Sequence, residues 1–415
     1  MALSLNDNIR TDVVYFDFAK AFDSVNHDLI LHKLKHNFKI DGRLLKFIAN
    51  YLKDRQQQVL VSGKLSALKD VRSGVPQGSI LGPLLFVLFI NDISEGISAG
   101  TKVSLYADDT KICRPILVEE DHIALQRDID YLVDWSLKNL MKFHPSKCKV
   151  LSVTGKIPES LLSVLPFYNY IYSMGGETLD YVDSEKDLGV LVKSSFNWDE
   201  QCGKVYSKAN QKLGLSRRSC HFLIDECRRR VIFLTMVRSQ FEHCSVIWRP
   251  VTKTLLQRFE DLQKRAIKWI LSEEYISYSH SQYIQKCRQL KIMPISDRFD
   301  FLDIIFFYKI IKGLIPVELP PYIMLYSGNS RLRSSHMDHL CYVSSITPRS
   351  TNNALGKSFF YRTITKWNHI PLSIRDLNDI GEFKSSLIKY MWKVILPDIL
   401  EDIDETSSYE DSDSE

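Results

Sequence analysis

Two adjacent carboxylates, Asp108 and Asp109, follow a short stretch of alternating apolar residues and constrain the fold more than any other feature. The stretch Lys102–Tyr106 has the period of a β-strand, and Lys111–Cys113 can form a second strand after the acidic pair. Like charges a few ångströms apart repel one another unless a cation lies between them. Magnesium prefers oxygen ligands and commonly bridges carboxylates to substrate phosphates. The pattern therefore predicts a β-hairpin whose turn binds a metal ion, although Asp is also a common residue of ordinary turns.

A third carboxylate, Asp17, lies near the end of the apolar stretch Val13–Phe18, whose alternation predicts a strand. Between Asp17 and the acidic pair lies the loop Ser73–Pro83, which contains three glycines and two prolines and precedes an apolar helix predicted at 84–93. Glycines ahead of a helix let a ligand approach the backbone, and a helix N-terminus attracts phosphate. An ordinary loop is the alternative interpretation. Three carboxylates on one sheet and a phosphate-binding loop are the parts that two-metal phosphoryl transfer requires.

Helical patterns fill most of the remaining chain. The first predicted helix has Ser24 as its N-cap and runs to about Asn37, and another covers 120–140. From about Trp198 onward the chain has helical spacing almost throughout. In the helix predicted at 200–217, three lysines recur at every fourth position beside an apolar row and form one basic face: Lys204, Lys208 and Lys212. A solvated charged face is the alternative to a binding surface here.

The charge distribution indicates a polyanionic partner. The C-terminal stretch 398–415 has nine acidic and no basic side chains, and we predict that it is a disordered tail. Residues 1–397 keep all 54 basic side chains against 41 acidic ones, a net charge of +13. A basic body of this kind is typical of proteins that bind nucleic acid.

Cysteine usage and hydropathy predict an intracellular protein, in the nucleus or the cytoplasm. The eight cysteines form no regular framework, and the spacing of Cys220, Cys227 and Cys244 matches no zinc pattern. The N-terminal residues lack the apolar segment of a signal peptide, so no targeting signal is seen. The longest apolar run is far shorter than the ~20 residues that span a bilayer, and no membrane contact is expected.

Taken together, the motifs resemble those of non-LTR retrotransposon reverse transcriptases, in particular the jockey-like elements of animals. The segment Phe16–His27 looks like the first palm motif of that family, Ser73–Pro83 resembles its Gly-Val-Pro-Gln-Gly-Ser motif, and Tyr106–Asp109 resembles its Tyr-Ala-Asp-Asp motif. Their order and spacing agree with the family. The resemblance implies an α+β fold, in which a polymerase palm with an antiparallel sheet backed by helices precedes an all-helical thumb and a helical C-terminal region. The implied bounds are 1–192 for the palm, 193–272 for the thumb and 273–397 for the C-terminal region.

The resemblance also implies an activity, RNA-directed DNA polymerisation from dNTP onto a primer 3′-hydroxyl, and a set of site residues. Asp17, Asp108 and Asp109 would be catalytic and bind two Mg²⁺ ions, with Mn²⁺ as a substitute. An RNA template and a DNA primer would be the nucleic-acid partners, held by the basic helix. Four residues would contact the substrates: Phe18, Phe22, Gln77 and Gly78. Of these, Phe22 matches the family's aromatic gate against a ribose 2′-hydroxyl.

Two further assignments by resemblance concern the end of the palm. Lys147 falls where the family places a lysine that protonates the pyrophosphate leaving group. His144 stands where Asn is usual in this motif, and Lys149 is a near rival for the role. The segment Lys186–Val190 resembles the primer-grip strand.

The sequence departs from the family at its beginning. Only sixteen residues precede Asp17, where the family has a fingers domain, and no endonuclease domain is recognised. We therefore expect a truncated polymerase that needs fingers or an endonuclease part from another chain, since positioning supplies much of the rate in phosphoryl transfer. One alternative is a catalytically inactive remnant that binds nucleic acid or protein. A palm-fold nucleotide cyclase is another, disfavoured by the Pro-Gln-Gly loop and the basic helices.

Overall fold

The computed structural model describes residues 2–7, 9–154, 170–273, 275–325, 341–343 and 355–396. After Phe196 the chain divides into two compact units, a first with strands and helices and a second that is mainly helical. The predicted acidic tail at 398–415 lies outside the described residues. No helix in the described ranges is both long and apolar enough to cross a membrane.

The first unit alternates short helices with strands. Its elements are, in chain order, α1 (Ala2–Asn6), β1 (Arg10–Phe16), α2 (Ala21–Ser24), α3 (His27–His36), α4 (Gly42–Leu52), β2 (Gln56–Gln57), β3 (Leu60–Val61), β4 (Lys64–Leu65), β5 (Lys69–Asp70), α5 (Leu81–Ile90), β6 (Lys102–Tyr106), β7 (Asp109–Ile116), α6 (Glu119–Lys138), β8 (Lys149–Val153), β9 (Ser173–Met174), β10 (Glu177–Thr178), β11 (Asp180–Tyr181), β12 (Ser184–Asp187) and β13 (Val190–Lys193). Short 3-10 helices follow α5 at Asn91–Ser94 and precede β8 at Pro145–Lys147.

A five-stranded sheet in the order β11-β8-β1-β7-β6 organises this unit. Strand β1 lies in the middle and pairs antiparallel with β7 and β8, while β11 joins β8 in parallel. Val13 and Val14 are fully buried although they point to opposite faces, so β1 is covered on both sides. The sheet therefore confirms the predicted antiparallel palm-like arrangement and holds the end of β1 in a fixed place.

Helices α3, α5 and α6 share one hydrophobic core with the sheet. Lys33 of α3 is buried among them, where it donates to the Phe89 carbonyl at 2.8 Å and pairs with Asp92 at 2.7 Å. Trp135 of α6 donates to the same Asp92 carboxylate at 3.0 Å. Burial lowers the pKa of Lys33, while Asp92 favours its charged form. One buried ion pair thus joins the three helices behind the site.

The start of α3 corrects one expectation, because Asn26 and not Ser24 is its N-cap. The Asn26 side chain accepts from the Leu29 N–H at 3.0 Å. Ser24 lies in the separate helix α2, and its hydroxyl donates to the carbonyls of Ala19 and Lys20. A hydroxyl that bonds back to the preceding turn cannot cap the next helix.

The second unit consists of helices with one short strand pair. Its elements are α7 (Asp199–Ser219), α8 (Glu226–Ile232), α9 (Ser239–Glu242), α10 (Ser245–Trp248), α11 (Lys253–Ile270), α12 (His280–Gln289), α13 (Ile295–Ile311), β14 (Ile323–Leu325), β15 (Cys341–Val343), α14 (Phe359–His369), α15 (Leu372–Arg375) and α16 (Ile380–Ile395). A π-helical segment, Phe233–Arg238, connects α8 to α9 without a break.

Buried ion pairs connect residues on both sides of position 272, the boundary expected between the thumb and the C-terminal region. Asp303 of α13 is 1% exposed and accepts from Arg249 at 2.9 Å and from Arg362 of α14 at 2.9 and 3.1 Å. Arg249 also pairs with Asp300 at 2.5 Å. Since breaking a buried, hydrogen-bonded pair leaves an uncompensated charge, this network fixes how α13 and α14 pack.

The stability of the second unit should depend on pH through the ionisation of Asp297. Burial and the neighbouring carboxylates of Asp300 and Glu260 raise the pKa of Asp297 to about 6. The folded state therefore holds this proton more tightly than the unfolded chain, and stability falls as pH rises from about 4 to about 6. We expect Asp297→Asn to stabilise the unit by about 1–2 kcal/mol at pH 7 and by almost nothing at pH 4. Urea unfolding at both pH values measures this, and an equal effect at the two would contradict it.

Candidate active site

The acidic pair lies on a tight hairpin between β6 and β7. Tyr106 pairs with Asp109, so Ala107 and Asp108 alone form the turn. Ala107 has a φ of +51°, a left-handed conformation that costs free energy for a residue with a Cβ. This strained turn presents Asp108 at its tip and Asp109 as the first residue of β7.

Asp17 is brought to the same place by the register of β1. Strand β1 ends at Phe16, two residues before the end predicted from the alternation, because its pairing with β7 stops at Phe16 and Thr110. Asp17 therefore follows the strand directly and lies beside the Asp108–Asp109 turn. The Asp17 backbone is fixed on both sides: its carbonyl accepts from the His144 N–H at 2.8 Å, and its N–H lies 3.5 Å from Cys148 Sγ. The structure thus gathers the three sequence-predicted carboxylates at one edge of the sheet.

The carboxylates at this edge of the sheet lie close enough together to repel one another. The pKa of Asp109 is raised by burial first, and then by the negative charges of Asp108, Asp187 and Asp17. Among the described residues, no group of three or more His, Cys, Asp or Glu side chains is arranged to hold a metal ion by itself. Magnesium is commonly held by one or two carboxylates together with substrate phosphates and water. An oxygen-only, mutually repelling donor set therefore fits a cation whose remaining ligands come with the substrate.

A lysine presently neutralises part of this charge. Lys147 Nζ lies 3.0 Å from Asp17 Oδ2, and both side chains are partly open to solvent. Lys149, the rival for the same role, instead pairs with Asp180 at 2.8 Å on the far side of β8. Of the two lysines, Lys147 is therefore the one at the carboxylates.

The glycine-rich loop is fastened to the segment that follows Asp17. The N–H groups of Gly74 and Val75 donate to the carbonyls of Val25 and Phe22 at 2.8 and 2.9 Å. Gly74 has a φ of +90°, and a Cβ there would lie 2.8 Å from the Asp23 backbone. No larger residue fits this contact without moving one of the two segments.

The predicted substrate contacts occupy different environments. Gln77 and Gly78 are exposed on the loop, and the Gln77 amide donates to Asp23 at 3.0 Å. Phe22 is partly exposed and stacks on Phe86 with ring centroids 4.3 Å apart. Phe18 is 4% exposed and stacks on a neighbouring ring in the core, and its contact with a substrate stays a prediction.

A cleft of about 380 Å³ opens beside the carboxylates. Its walls come from the ends of β1, β6 and β7 and from the hairpin β12–β13. Within it Lys111, which the sequence interpretation did not assign to the site, forms an ion pair with Asp187 of the segment that resembles the primer grip. The i, i+2 spacing of Lys111 from Asp109 was the available signal, since it puts both side chains on one face of β7.

In the second unit, the predicted basic face borders a shallow groove. Lys204 and Lys208 of α7 line it, and Arg258 from α11 contributes a further cation that the sequence interpretation missed. Lys204 also pairs with Glu200 at 3.1 Å. Lys212 lies on the same helix but does not line the groove.

Comparisons with known proteins agree with these motifs. The family model described as reverse transcriptase (RNA-dependent DNA polymerase) matches residues 6–223. The probable RNA-directed DNA polymerase from transposon BS of Drosophila melanogaster is 25% identical over 291 residues, which cover 66% of this chain and 30% of that protein. The RNA-directed DNA polymerase from mobile element jockey of Drosophila funebris is 30% identical over 191 residues, covering 44% of this chain and 20% of that protein.

A search of solved structures finds partial overlap. Apo telomerase from Candida Tropicalis superposes with a TM-score of 0.36 and 11% identity, covering 72% of this chain and 50% of that chain. The chain spans less than a third of the length of the two curated relatives named above.

Proposed function

Since the chain belongs to the reverse transcriptase (RNA-dependent DNA polymerase) family, we propose that it extends a DNA primer on an RNA template by transfer of nucleotides from dNTP. The observation that carries the proposal is the β1–β7 register, because it brings Asp17 to the Asp108–Asp109 turn, with Asp17 and Asp109 lining one cleft. The relatives are polymerases of mobile elements, in agreement with this activity.

The three carboxylates would hold the metal ions. Two bound Mg²⁺ ions would lower the pKa of the primer 3′-hydroxyl and neutralise the triphosphate and leaving group. Asp17 and Asp108 are the proposed ligands, and Asp109 completes the negative site. Lys147 donates a proton to the pyrophosphate once substrate binding has released it from Asp17.

The surrounding residues orient the nucleotide. Phe22 is held by its stacking on Phe86. We propose that its ring would clash with a ribose 2′-hydroxyl and so favour dNTP over NTP, as the family resemblance implies. The Gln77 amide and the exposed Gly78 backbone are the proposed contacts to the incoming nucleotide and the template. They lie on a loop whose start is held by the Gly74 hydrogen bond. The seven cysteines with described side chains form no disulfide, and we propose an intracellular site of action.

Primer extension on poly(A)/oligo(dT) with Mg²⁺ or Mn²⁺ tests the proposal. We expect dTTP incorporation that depends on the template and stops when poly(A) is replaced by poly(C). Tight, salt-sensitive binding of template–primer without any incorporation would contradict it and would favour a nucleic-acid-binding protein that no longer catalyses.

The basic groove should contribute the salt-dependent part of nucleic-acid binding. We propose that Lys204 and Lys208 contact template–primer phosphates, with Lys212 adding charge nearby. Each lost phosphate contact should lower the slope of log Kd against log salt by about 0.7–0.9. The Lys204→Ala/Lys208→Ala variant should therefore bind more weakly and with a slope smaller by about 1.5.

A matched control comes from another helix of the same unit. Lys389 and Lys393 on α16 are also exposed and four residues apart. Replacing them by alanine should leave the salt slope unchanged. Equal slopes for both double variants would mean that the groove on α7 is not the binding surface.

A further inference from the structure

The hairpin β12–β13 is tied to the catalytic turn by one ion pair, and we propose that the Lys111–Asp187 pair is a positioning device for the primer terminus. It fixes the tip of that hairpin against the strand that carries Asp109. The proposal rests on the proposed polymerase function and assigns two positioning residues to it.

Lys111 is set on the catalytic face by its place in β7. It lies two residues after Asp109, so both side chains leave the strand on the same side. Its neighbour across the ladder on β1 is Tyr15, and its neighbour on β6 is Ser104. All four of these residues line the cleft, which makes Lys111 part of its floor.

Asp187 reaches this floor from the other hairpin. It is the last residue of β12, immediately before a turn in which Leu188 and Gly189 have φ values of +46° and +88°. Leu188 is 46% exposed and lines the cleft at that turn. The five-stranded sheet includes neither β12 nor β13, which pair with each other. Backbone hydrogen bonds of Val182 with Val150 and of Thr154 with Ser194 attach the base of the hairpin near β8. Among the described strands no backbone ladder reaches its tip, where the Lys111–Asp187 contact lies.

The ion pair has the burial and charge needed for this task. Lys111 and Asp187 are 27% and 19% exposed, far less than a solvent-screened surface pair. A charge-assisted hydrogen bond in such a place is stronger than a neutral one. Burial raises the pKa of Asp109 and of the Tyr15 hydroxyl most, and the negative charge of the nearby Asp187 raises both pKa values further. Without the ammonium of Lys111, Asp187 would repel the catalytic carboxylates.

The ion pair would therefore fix the position of the primer terminus relative to the metal-binding carboxylates. The hairpin tip resembles the family's primer grip and lines the same cleft as Asp17 and Asp109. With the pair intact, a primer terminus resting on the tip keeps one distance from the carboxylates. With the pair broken, the tip moves independently of them, and the 3′-hydroxyl is misaligned more often.

A double-mutant cycle tests the pair. We expect Lys111→Met and Asp187→Asn each to lower kcat/KM for template–primer extension about 10- to 100-fold, as loss of alignment does. The double variant should be no worse than the poorer single one, because both remove the same interaction. Lys111→Arg, which keeps the charge, should retain most of the activity. Multiplicative losses in the double variant would overturn the proposal.

Hydrogen exchange provides a readout that needs no turnover. Amides of 184–193 should exchange about tenfold faster in Lys111→Met and in Asp187→Asn than in the wild type. Asp180→Ala, which removes an exposed ion pair at the opposite edge of the sheet, is the control and should change neither exchange nor extension. Unchanged exchange in both single variants would show that the Lys111–Asp187 pair does not fix the hairpin tip. Failure of the wild type to extend any primer would instead overturn the polymerase function itself, so the two failures are distinguishable.

Discussion

Replacing Asp108 by alanine should lower the rate of primer extension by about a thousandfold or more. The residue stands at the tip of a two-residue turn and has no structural hydrogen bond to lose among the described contacts, so the chain should fold normally. Its carboxylate is one of the charges that raise the pKa of Asp109, which places it among the groups that a cation must neutralise. Loss of a metal-binding charge at the reacting centre costs several kcal/mol of transition-state stabilisation.

Single-turnover extension on poly(A)/oligo(dT) measures this loss, with circular dichroism to show that the fold is intact. Asp180→Ala is again the matched control, since it removes a carboxylate from β11, which is separated from β1 by β8, and Asp180 does not line the cleft. A residual rate within about tenfold of the wild type would remove Asp108 from the catalytic site.

Replacing Asp303 by alanine should destabilise the second unit by about 3–5 kcal/mol. Its carboxylate accepts three hydrogen bonds from Arg249 and Arg362, and its removal leaves the buried Arg362 guanidinium without its carboxylate partner. Arg249 keeps Asp300, so the loss is concentrated on the contact between α13 and α14.

Urea unfolding followed by hydrogen exchange of 295–311 gives the size and the location of the effect. Asp261→Ala on α11 is the control, because that carboxylate is 55% exposed and its partner Lys264 is 3.5 Å away. The control should cost less than about 0.5 kcal/mol. Similar losses in the two variants would mean that the buried network does not hold the helices together.

Much of the first unit could be predicted because its signals are local. Alternation predicted the strand at Lys102–Tyr106 to the residue, and helical spacing predicted α6 within two residues of each end. The apolar helix before the hairpin begins earlier than predicted, at Leu81, because Pro83 is tolerated in a first turn where no intrahelical N–H is needed. The roles of Lys147, Phe22, Gln77 and the three lysines of α7 stay predictions that rest on the family resemblance.

What the sequence could not predict depends on contacts between distant residues. Lys111 and Asp187 are 76 positions apart, and Arg249 and Asp303 are 54 apart. In its local sequence each of these residues looks like an ordinary charged side chain. They become partners only because the strands and helices that carry them pack together. The cap at Asn26 was missed for a related reason, since either Ser24 or Asn26 can cap a helix and the short turn before α3 decides between them.

The most direct test of the account is the number of metal ions that the carboxylates hold with substrate. Mn²⁺ binding can be followed by electron paramagnetic resonance on the full chain with a dideoxy-terminated primer on poly(A) and a non-hydrolysable dTTP analogue. The account predicts about two bound Mn²⁺ per chain in the wild type and a clear loss in Asp17→Ala and in Asp108→Ala. Equal Mn²⁺ binding by the wild type and both variants would contradict it.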